Sequence, residues 1–141
     1  MKLRSFAASL YTSWAVALAA MLISLIFSEI LKYPPCTLCW YQRIFMYPLV
    51  FILPVGIILQ DRKVFTYVKV LSAIGLVISA YHALIYHGLI NEALKVCNAE
   101  LSCKTKQFEL FNFLSIPFMS FLSFATIFSL NFIGARNDKR D

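Results

Sequence analysis

Four long runs without an ionised side chain constrain the fold of this chain more than any other feature. The runs are Ser5–Ser28, Ile44–Gln60, Val70–Ile90 and Leu110–Ala135. A helix that crosses a bilayer needs about 20 mostly apolar residues, and its backbone must satisfy its own hydrogen bonds. The second run is short, so it needs Trp40 and Tyr41 as interfacial anchors. The pattern therefore predicts four membrane-spanning helices, with kinks at Pro54 and Pro117.

Composition supports the same class of protein. Of the 141 residues, 60% are apolar and 14% are charged, whereas soluble domains average about 45–50% and about 25%. These proportions exclude a soluble α/β enzyme, a nucleotide-binding Rossmann domain and a disulfide-dense secreted miniprotein. We expect an all-α membrane protein, an antiparallel four-transmembrane-helix bundle forming a single integral membrane domain over residues 1–141. The spans are expected at about 8–31, 41–60, 68–89 and 113–134.

The first span has an alternative interpretation as a cleaved signal peptide. Lys2 and Arg4 precede the apolar run, and Ala17–Ala19 resembles a cleavage site. The apolar core of a signal peptide is about 7–15 residues long, and this run is much longer. We therefore expect it to remain as a transmembrane helix.

The distribution of basic residues predicts the orientation of the spans. With four spans, eight basic residues fall on the side of both termini and of Asp61–Lys69, and five fall on the other side. Lys and Arg concentrate in cytoplasmic segments, so we expect both termini to be cytoplasmic and segments 32–40 and 90–110 to be extracytoplasmic. The net charge of +6 is attributed to topology and lipid headgroup contact rather than to nucleic-acid binding.

All four cysteines fall in the two segments expected outside the cytoplasm. Cys36 and Cys39 (the inner pair) form a C-x2-C after the first span, and Cys97 and Cys103 (the outer pair) form a C-x5-C after the third. Because that compartment is oxidising, disulfides can persist there. Structural disulfides are one interpretation, although a two-residue gap constrains the unfolded chain little.

A zinc site and redox exchange are the other two interpretations. The pairs are separated by 57 residues, and the outer segments contain no His, so the spacing is unlike a compact zinc motif. A C-x-x-C dithiol has a standard redox spacing, and two pairs on one face can exchange a disulfide through a mixed-disulfide intermediate. Redox exchange is therefore favoured.

Residues around the inner pair strengthen the redox interpretation. Pro34 and Pro35 end the first span, so the second helix can begin near Cys36, where the helix dipole favours a thiolate. Arg43 follows Cys39 by four residues, which places the two on one helical face. Arg43 could stabilise a thiolate or donate a hydrogen bond to the carbonyl of a membrane-dissolved acceptor. Snorkelling to lipid headgroups is the alternative.

The segment Cys36–Arg43, C-T-L-C-W-Y-Q-R, resembles the signature of the DsbB/BdbC family of membrane thiol–quinone oxidoreductases. The segments Ile44–Leu49, I-F-M-Y-P-L, and Ile116–Phe121, I-P-F-M-S-F, resemble its BdbC branch. The similarity extends over essentially the whole chain, with four spans and both cysteine pairs in order. It implies a multi-pass protein of the bacterial cell membrane that supports disulfide bond formation in exported proteins.

The resemblance also implies a relay. An extracytoplasmic thioredoxin-like oxidase would be reoxidised by a Cys97–Cys103 disulfide, which a Cys36–Cys39 disulfide would reoxidise in turn. The electrons would pass to a membrane quinone, with Cys39 facing the quinone and Arg43 hydrogen-bonded to it. The compact outer pair is similar to the Gram-positive type, which by association favours menaquinone over ubiquinone.

Two histidines of the third span carry further expectations. His87, near its outer end, could bind the quinone, since the family has a His in this span. His82 lies five residues earlier, about 140° around a helix, so the two cannot share a face. A satisfied core or interfacial position is the alternative for either.

Two other functions stay open. One is a vitamin K epoxide reductase-like quinone-linked thiol enzyme, although that group has its quinone-side C-x-x-C on a late helix. The other is a small four-span transporter with structural disulfides, which should carry an acidic residue in the middle of the bilayer. Glu29 lies only a few residues before Pro34, near the predicted end of the first span.

Overall fold

Four long helices make up most of the computed structural model of this chain, which describes residues 2–32, 35–89, 109–110 and 114–139, with side chains at 7–32, 35–89 and 116–136. The helices are α1 (Lys2–Leu25), which continues into a π-helical turn (Ile26–Ile30), α2 (Thr37–Leu59), α3 (Val64–Tyr86) and α4 (Ile116–Lys139). Two short strands, β1 (Glu109–Leu110) and β2 (Leu114–Ser115), pair antiparallel just before α4.

Each helix is long and apolar enough to cross a membrane, which confirms the predicted all-α membrane fold. The four stretches are Ala7–Ile30, Thr37–Leu59, Val64–Tyr86 and Ile116–Arg136. Helix α2 begins about four residues earlier than predicted, because Cys36 caps it in an extended conformation. Helix α3 also begins about four residues early and ends at Tyr86, two residues before Gly88 adopts a positive φ of 71°.

The two prolines at which kinks were predicted, Pro54 and Pro117, occupy different places in their helices. Pro117 is the second residue of α4, in the first turn, where its missing N–H leaves no intrahelical bond unmade. Pro48 and Pro54 lie inside α2. Pro54 cannot donate to the carbonyl of Val50, and the Trp14 indole of α1 donates to that carbonyl instead, at 3.1 Å. The proline thus provides an acceptor that joins α1 to α2.

The helices form a closed bundle in which each packs on its neighbours in the chain and α4 packs on α1. The buried core contains residues of all four helices: Leu10, Ala17, Met46, Leu49, Val50, Leu53, Val64, Phe65, Val68, Phe124 and Ile127. Gly75 of α3 lies against the Phe124 ring, and any Cβ there would overlap it. Asn131 of α4 donates to the Ser13 hydroxyl of α1 at 2.9 Å, which links the first and last helices within the core.

A short connection positions the redox site. Helix α2 ends at Leu59, and the left-handed conformation of the C-cap residue Gln60 (φ 50°) lets its N–H reach the carbonyls of Gly56 and Ile57. Asp61 accepts a hydrogen bond from the Lys63 N–H at 2.9 Å, and α3 begins at Val64. Because only residues 60–63 join them, α2 and α3 run antiparallel, so the end of α3 lies beside the start of α2. A second cluster of buried residues, Cys36, Leu38 and Ile85, forms there.

Candidate redox site

The inner pair occupies the N-terminus of α2. Cys36 is the N-cap residue, with φ −68° and ψ 166°, and its carbonyl accepts the first hydrogen bond of the helix from the Trp40 N–H at 3.1 Å. Cys39 lies in the first turn, and the two Sγ atoms of these free thiols are 2.8 Å apart. Only 8% of Cys36 is exposed. The C-x-x-C spacing therefore brings both sulfurs within reach of each other at a helix end.

A buried histidine approaches Cys36 from the neighbouring helix. His82 of α3 is 2% exposed, and its Nε2 lies 3.6 Å from the Cys36 Sγ. Its Nδ1 lies 2.9 Å from the amide nitrogen of Gln42, which is also buried. An amide nitrogen only donates, so Nδ1 is the acceptor and the ring proton lies on Nε2, directed at the sulfur. His82 is thus held between Gln42 and Cys36.

This environment lowers the pKa of the Cys36 thiol below its ordinary value. The largest cause is the hydrogen bond with the Cys39 thiol, and the hydrogen bond with His82 acts in the same direction. Burial opposes them, because it raises the pKa of a thiol by disfavouring its charged form. These hydrogen bonds favour the thiolate form of Cys36, which is the form that a reactive cysteine uses.

Arg43 is held by α1. Its Nε donates to the Ser24 hydroxyl and its Nη2 donates to the Ser24 carbonyl, both at 2.9 Å. Ser24 lies just before the π-helical turn, where the backbone hydrogen-bond register changes and carbonyls become available to side chains. The guanidinium also lies 5.4 Å from the centre of the Trp40 ring. These contacts fix a guanidinium with further N–H donors beside the inner pair.

A cavity of about 130 Å³ opens between α1, α2 and α4. On α2, Cys39, Arg43 and Tyr47 line it at intervals of four residues, along one helical face. The remaining lining is mainly apolar, with four hydroxyl groups and the amide of Gln42: Ala20, Ile23, Ser24, Phe27, Ser28, Pro35, Gln42, Met46, Ile116, Met119, Ser120 and Ser123. The inner pair therefore faces two environments, because Cys36 contacts His82 and Cys39 faces the cavity.

The Tyr47 hydroxyl lacks a hydrogen-bond partner in the part of the chain that the structure describes, although it is buried. Tyr47 lines the cavity one helical turn beyond Arg43. Leaving a buried hydroxyl unpaired costs about 1–3 kcal/mol, and an acceptor in the cavity would remove that cost. The cavity wall is therefore suited to a mainly apolar molecule that carries hydrogen-bond acceptors.

Three of the predicted site residues, Cys36, Cys39 and Arg43, lie together at the start of α2. Cys97 and Cys103 lie outside the described residues. His87 caps the C-terminal end of α3, is exposed, and packs edge-on against the Tyr86 ring at 5.7 Å. Its role in quinone binding stays a prediction.

Four polar residues of the site, Ser24, Gln42, Tyr47 and His82, were not predicted as functional. The available signal was a polar side chain within an apolar run for His82, and a place in the C-T-L-C-W-Y-Q-R segment for Gln42. Their partnership depends on how α2 and α3 are rotated about their axes, which sequence spacing does not report.

Cys36, Cys39 and His82 together have the composition of a metal site. The two cysteine sulfurs and a His82 nitrogen all lie within 4.8 Å of one another. Thiolate and imidazole ligands suit thiophilic metals such as zinc. The histidine that the zinc interpretation lacked in the outer segments is thus supplied by α3. These atoms can support either metal binding or thiol exchange.

Known proteins similar to this chain are disulfide formation proteins. The family model described as disulfide bond formation protein DsbB matches residues 8–134. The chain is 44% identical to probable disulfide formation protein C 2 of Bacillus cereus over 129 residues, 92% of each chain. It is 45% identical to disulfide bond formation protein C of Bacillus subtilis over 118 residues, 84% of this chain and 86% of the other. No solved structure gives a significant match.

Proposed function

Since the chain belongs to the DsbB family of disulfide bond formation proteins, we propose that it reoxidises an extracytoplasmic thioredoxin-like thiol oxidase and passes the electrons to a membrane quinone. Membership makes it a redox enzyme of disulfide formation and a multi-pass bacterial membrane protein. The family is linked in general to a thiol–disulfide partner and to a membrane quinone. The proposal concerns this chain's own partner, acceptor and residues.

The observation that carries the proposal is that the inner pair lies beside the cavity, with Cys39 in its wall. Cys39 lines this cavity with Arg43, while Cys36, three residues earlier, contacts α3. A pair that accepts electrons on one side and delivers them on the other needs this division. Cys36 is the thiol proposed to exchange with the outer pair, and Cys39 is the thiol proposed to face the electron acceptor.

The residues of the cavity fit a quinone. Its wall is mainly apolar, as a lipid-soluble ring requires. Arg43 keeps N–H donors beyond those given to Ser24, and the Tyr47 hydroxyl is the buried orphan described above. Arg43 and Tyr47 would hold the carbonyl oxygens. A bound quinone supplies an acceptor for the two electrons and two protons released when the inner pair forms its disulfide. Menaquinone is the proposed species.

The outer pair completes the proposed relay. The partner's dithiol would reduce a Cys97–Cys103 disulfide, and the resulting thiols would reduce the inner disulfide through a mixed disulfide. This order requires both pairs to face the oxidising compartment, with both chain termini in the cytoplasm. A membrane-impermeant thiol reagent applied to intact cells should label the outer pair after reduction. It should leave unlabelled a cysteine introduced at Asp141 in a variant that lacks the native four.

Thiol trapping of the purified protein tests the proposed function. The protein is reduced with dithiothreitol, freed of reductant under anaerobic conditions, and mixed with menaquinone or with solvent alone. Free thiols are then alkylated with a mass-shifting maleimide. All four thiols should become unreactive with menaquinone and stay reactive without it. In parallel, a reduced thioredoxin-like protein should drive quinone reduction, followed by absorbance.

The control is a variant with both inner cysteines replaced by serine. Its outer thiols should stay reduced when menaquinone is added, since the proposed path to quinone runs through the inner pair. The function is refuted if the unmodified protein also stays reduced with menaquinone, or if the control reoxidises as fast as the parent.

A further inference from the structure

His82 is a buried titratable side chain in contact with the inner pair that the relay so far does not use. It comes from α3, forty-six residues from Cys36 in the chain, and its Nε2 lies 3.6 Å from the Cys36 Sγ. It is 2% exposed, and the Cys36 that it contacts belongs to a buried cluster with Leu38 and Ile85. A polar ring in such surroundings is costly unless both nitrogens are satisfied. Here the partners are an amide and a reactive sulfur.

We propose that His82 is a positioning residue for disulfide exchange. Its Nε2 donates a hydrogen bond to Cys36 whenever Cys36 leaves a disulfide as a thiolate. Gln42 holds His82 in the tautomer that this hydrogen bond requires. The inference deepens the proposed function and rests on it for the exchange partner. It assigns His82 to Cys36 and Arg43 to the cavity, so each half of the inner pair has its own supporting residue.

The exchange balances without an added reactant. In the step concerned, a second thiolate attacks the sulfur that is joined to Cys36 in a mixed disulfide. A new S–S bond forms between the attacking sulfur and the attacked sulfur, the bond to Cys36 breaks, and Cys36 departs with the electron pair. Over the whole exchange, the dithiol that supplies these two sulfurs is oxidised by two electrons and the inner pair is reduced by two. The thiol protons lost by one pair balance those gained by the other. His82 gives up no proton in this step.

Gln42 determines which ring nitrogen carries the proton. Its amide nitrogen donates to Nδ1 at 2.9 Å, so the neutral ring must carry its proton on Nε2, facing the sulfur. Gln42 follows Cys36 by six residues on α2, and it reaches the histidine from the same helix that carries the thiol. Helix α2 therefore supplies both the thiol and the group that orients the donor.

The groups that face Cys36 are few in the described residues. Cys39 comes from α2 and His82 from α3, and Tyr81 of α3 packs against the cluster that contains Cys36. The guanidinium of Arg43 is bound to Ser24 of α1. Both Cys39 and His82 lower the pKa of Cys36, whereas burial raises it. Removing Cys39 from the measurement isolates the contribution of the histidine.

The test therefore uses the full-length variant Cys39→Ala/Cys97→Ser/Cys103→Ser. In this variant Cys36 is the sole cysteine. The rate of Cys36 alkylation by iodoacetamide is measured against pH, and its midpoint reports the thiol pKa. His82→Phe keeps a ring and removes both nitrogens. It should raise the midpoint by about one pH unit or more, which is the pKa shift that corresponds to the loss of one hydrogen bond to a charged group. Gln42→Met should raise it by less.

A matched control and a rescue make the result specific. Ser79→Ala removes another buried polar group of α3, whose hydroxyl donates to the Leu76 carbonyl of the same helix at 3.0 Å, and should leave the midpoint unchanged. His82→Gln restores an N–H donor and should recover part of the shift. If His82→Phe leaves the midpoint at the parent value, or Ser79→Ala moves it equally, His82 is a core residue and the proposal fails.

A second readout separates this inference from the proposed function. In the protein with all four cysteines, His82→Phe should lower the kcat of partner-driven quinone reduction several-fold with the quinone KM unchanged. The alkylation profile requires neither quinone nor partner. An unmodified protein without quinone activity but with the expected His82 shift would overturn the function alone. An active protein without the shift would overturn this inference alone.

Discussion

Replacing Arg43 tests the proposed acceptor site most directly. Two of the guanidinium's five N–H donors bind Ser24, which leaves three beside the cavity. A hydrogen bond from a charged donor contributes about 1.5–3 kcal/mol, and each 1.4 kcal/mol is tenfold. Arg43→Ala should therefore raise the quinone KM by about 10- to 150-fold. Arg43→Lys keeps the charge but loses the planar fork, so its KM should lie between those of Arg43→Ala and the parent.

The assay pairs two measurements on the same purified variants. Steady-state quinone reduction at varied quinone gives KM and kcat. Single-turnover oxidation of the reduced thioredoxin-like partner reports the outer pair and should stay near the parent rate, because that step needs no quinone. Ser24→Ala removes one of the contacts that orient the guanidinium and should raise the KM only a few-fold, as expected for a positioning hydrogen bond.

Arg136 offers a matched control. It is an exposed guanidinium near the end of α4, 5.7 Å from the Phe132 ring and outside the cavity lining. Arg136→Ala removes a boundary cation without touching the cavity, so the quinone KM should not change. If Arg43→Ala likewise leaves the quinone KM and kcat unchanged, Arg43 is a headgroup anchor and its assignment to the acceptor is wrong.

Four further predictions address the relay, the cavity and the bundle. Peptide mapping of the resting protein should find one disulfide within each pair; predominant cross-links between pairs would contradict this. Replacing Cys97 or Cys103 by serine should block partner oxidation but leave the inner pair reoxidisable by quinone, whereas equal loss of quinone reactivity from every cysteine variant would exclude the relay. Tyr47→Phe should raise the quinone KM about 2- to 13-fold, for one hydrogen bond of about 0.5–1.5 kcal/mol, and an unchanged KM would remove the residue from the site. Gly75→Ala should lower the free energy of unfolding by about 1–3 kcal/mol in thermal unfolding, whereas Ile74→Leu, at a residue that is 41% exposed, should not. Equal effects of the two substitutions would contradict the close packing of Gly75 on Phe124.

The sequence by itself determined the architecture and one face of the site. Long apolar runs must become helices in lipid, because no other structure made from a single segment satisfies its backbone there. The placement of the inner pair followed from Pro34 and Pro35, since a helix cannot run through them and the next one begins beside Cys36. The shared face of Cys39 and Arg43 followed from their spacing within one helix. These inferences depend only on local geometry, which a sequence specifies directly.

Tertiary structure decided what lies opposite those residues. His82, not His87, reaches Cys36, because the rotation and depth of α3 against α2 bring that face inward. Ser24 holds Arg43 because α1 ends in a π-helical turn beside it, and Trp14 bonds the carbonyl that Pro54 leaves without a donor. Each contact joins helices that are apolar over most of their surface. Apolar periodicity shows that a helix is buried in lipid or in protein, but it does not single out the face that meets a given neighbour. That choice follows from packing of all four helices together, in which a single close approach, such as Phe124 on Gly75, sets the position of every side chain along the helix.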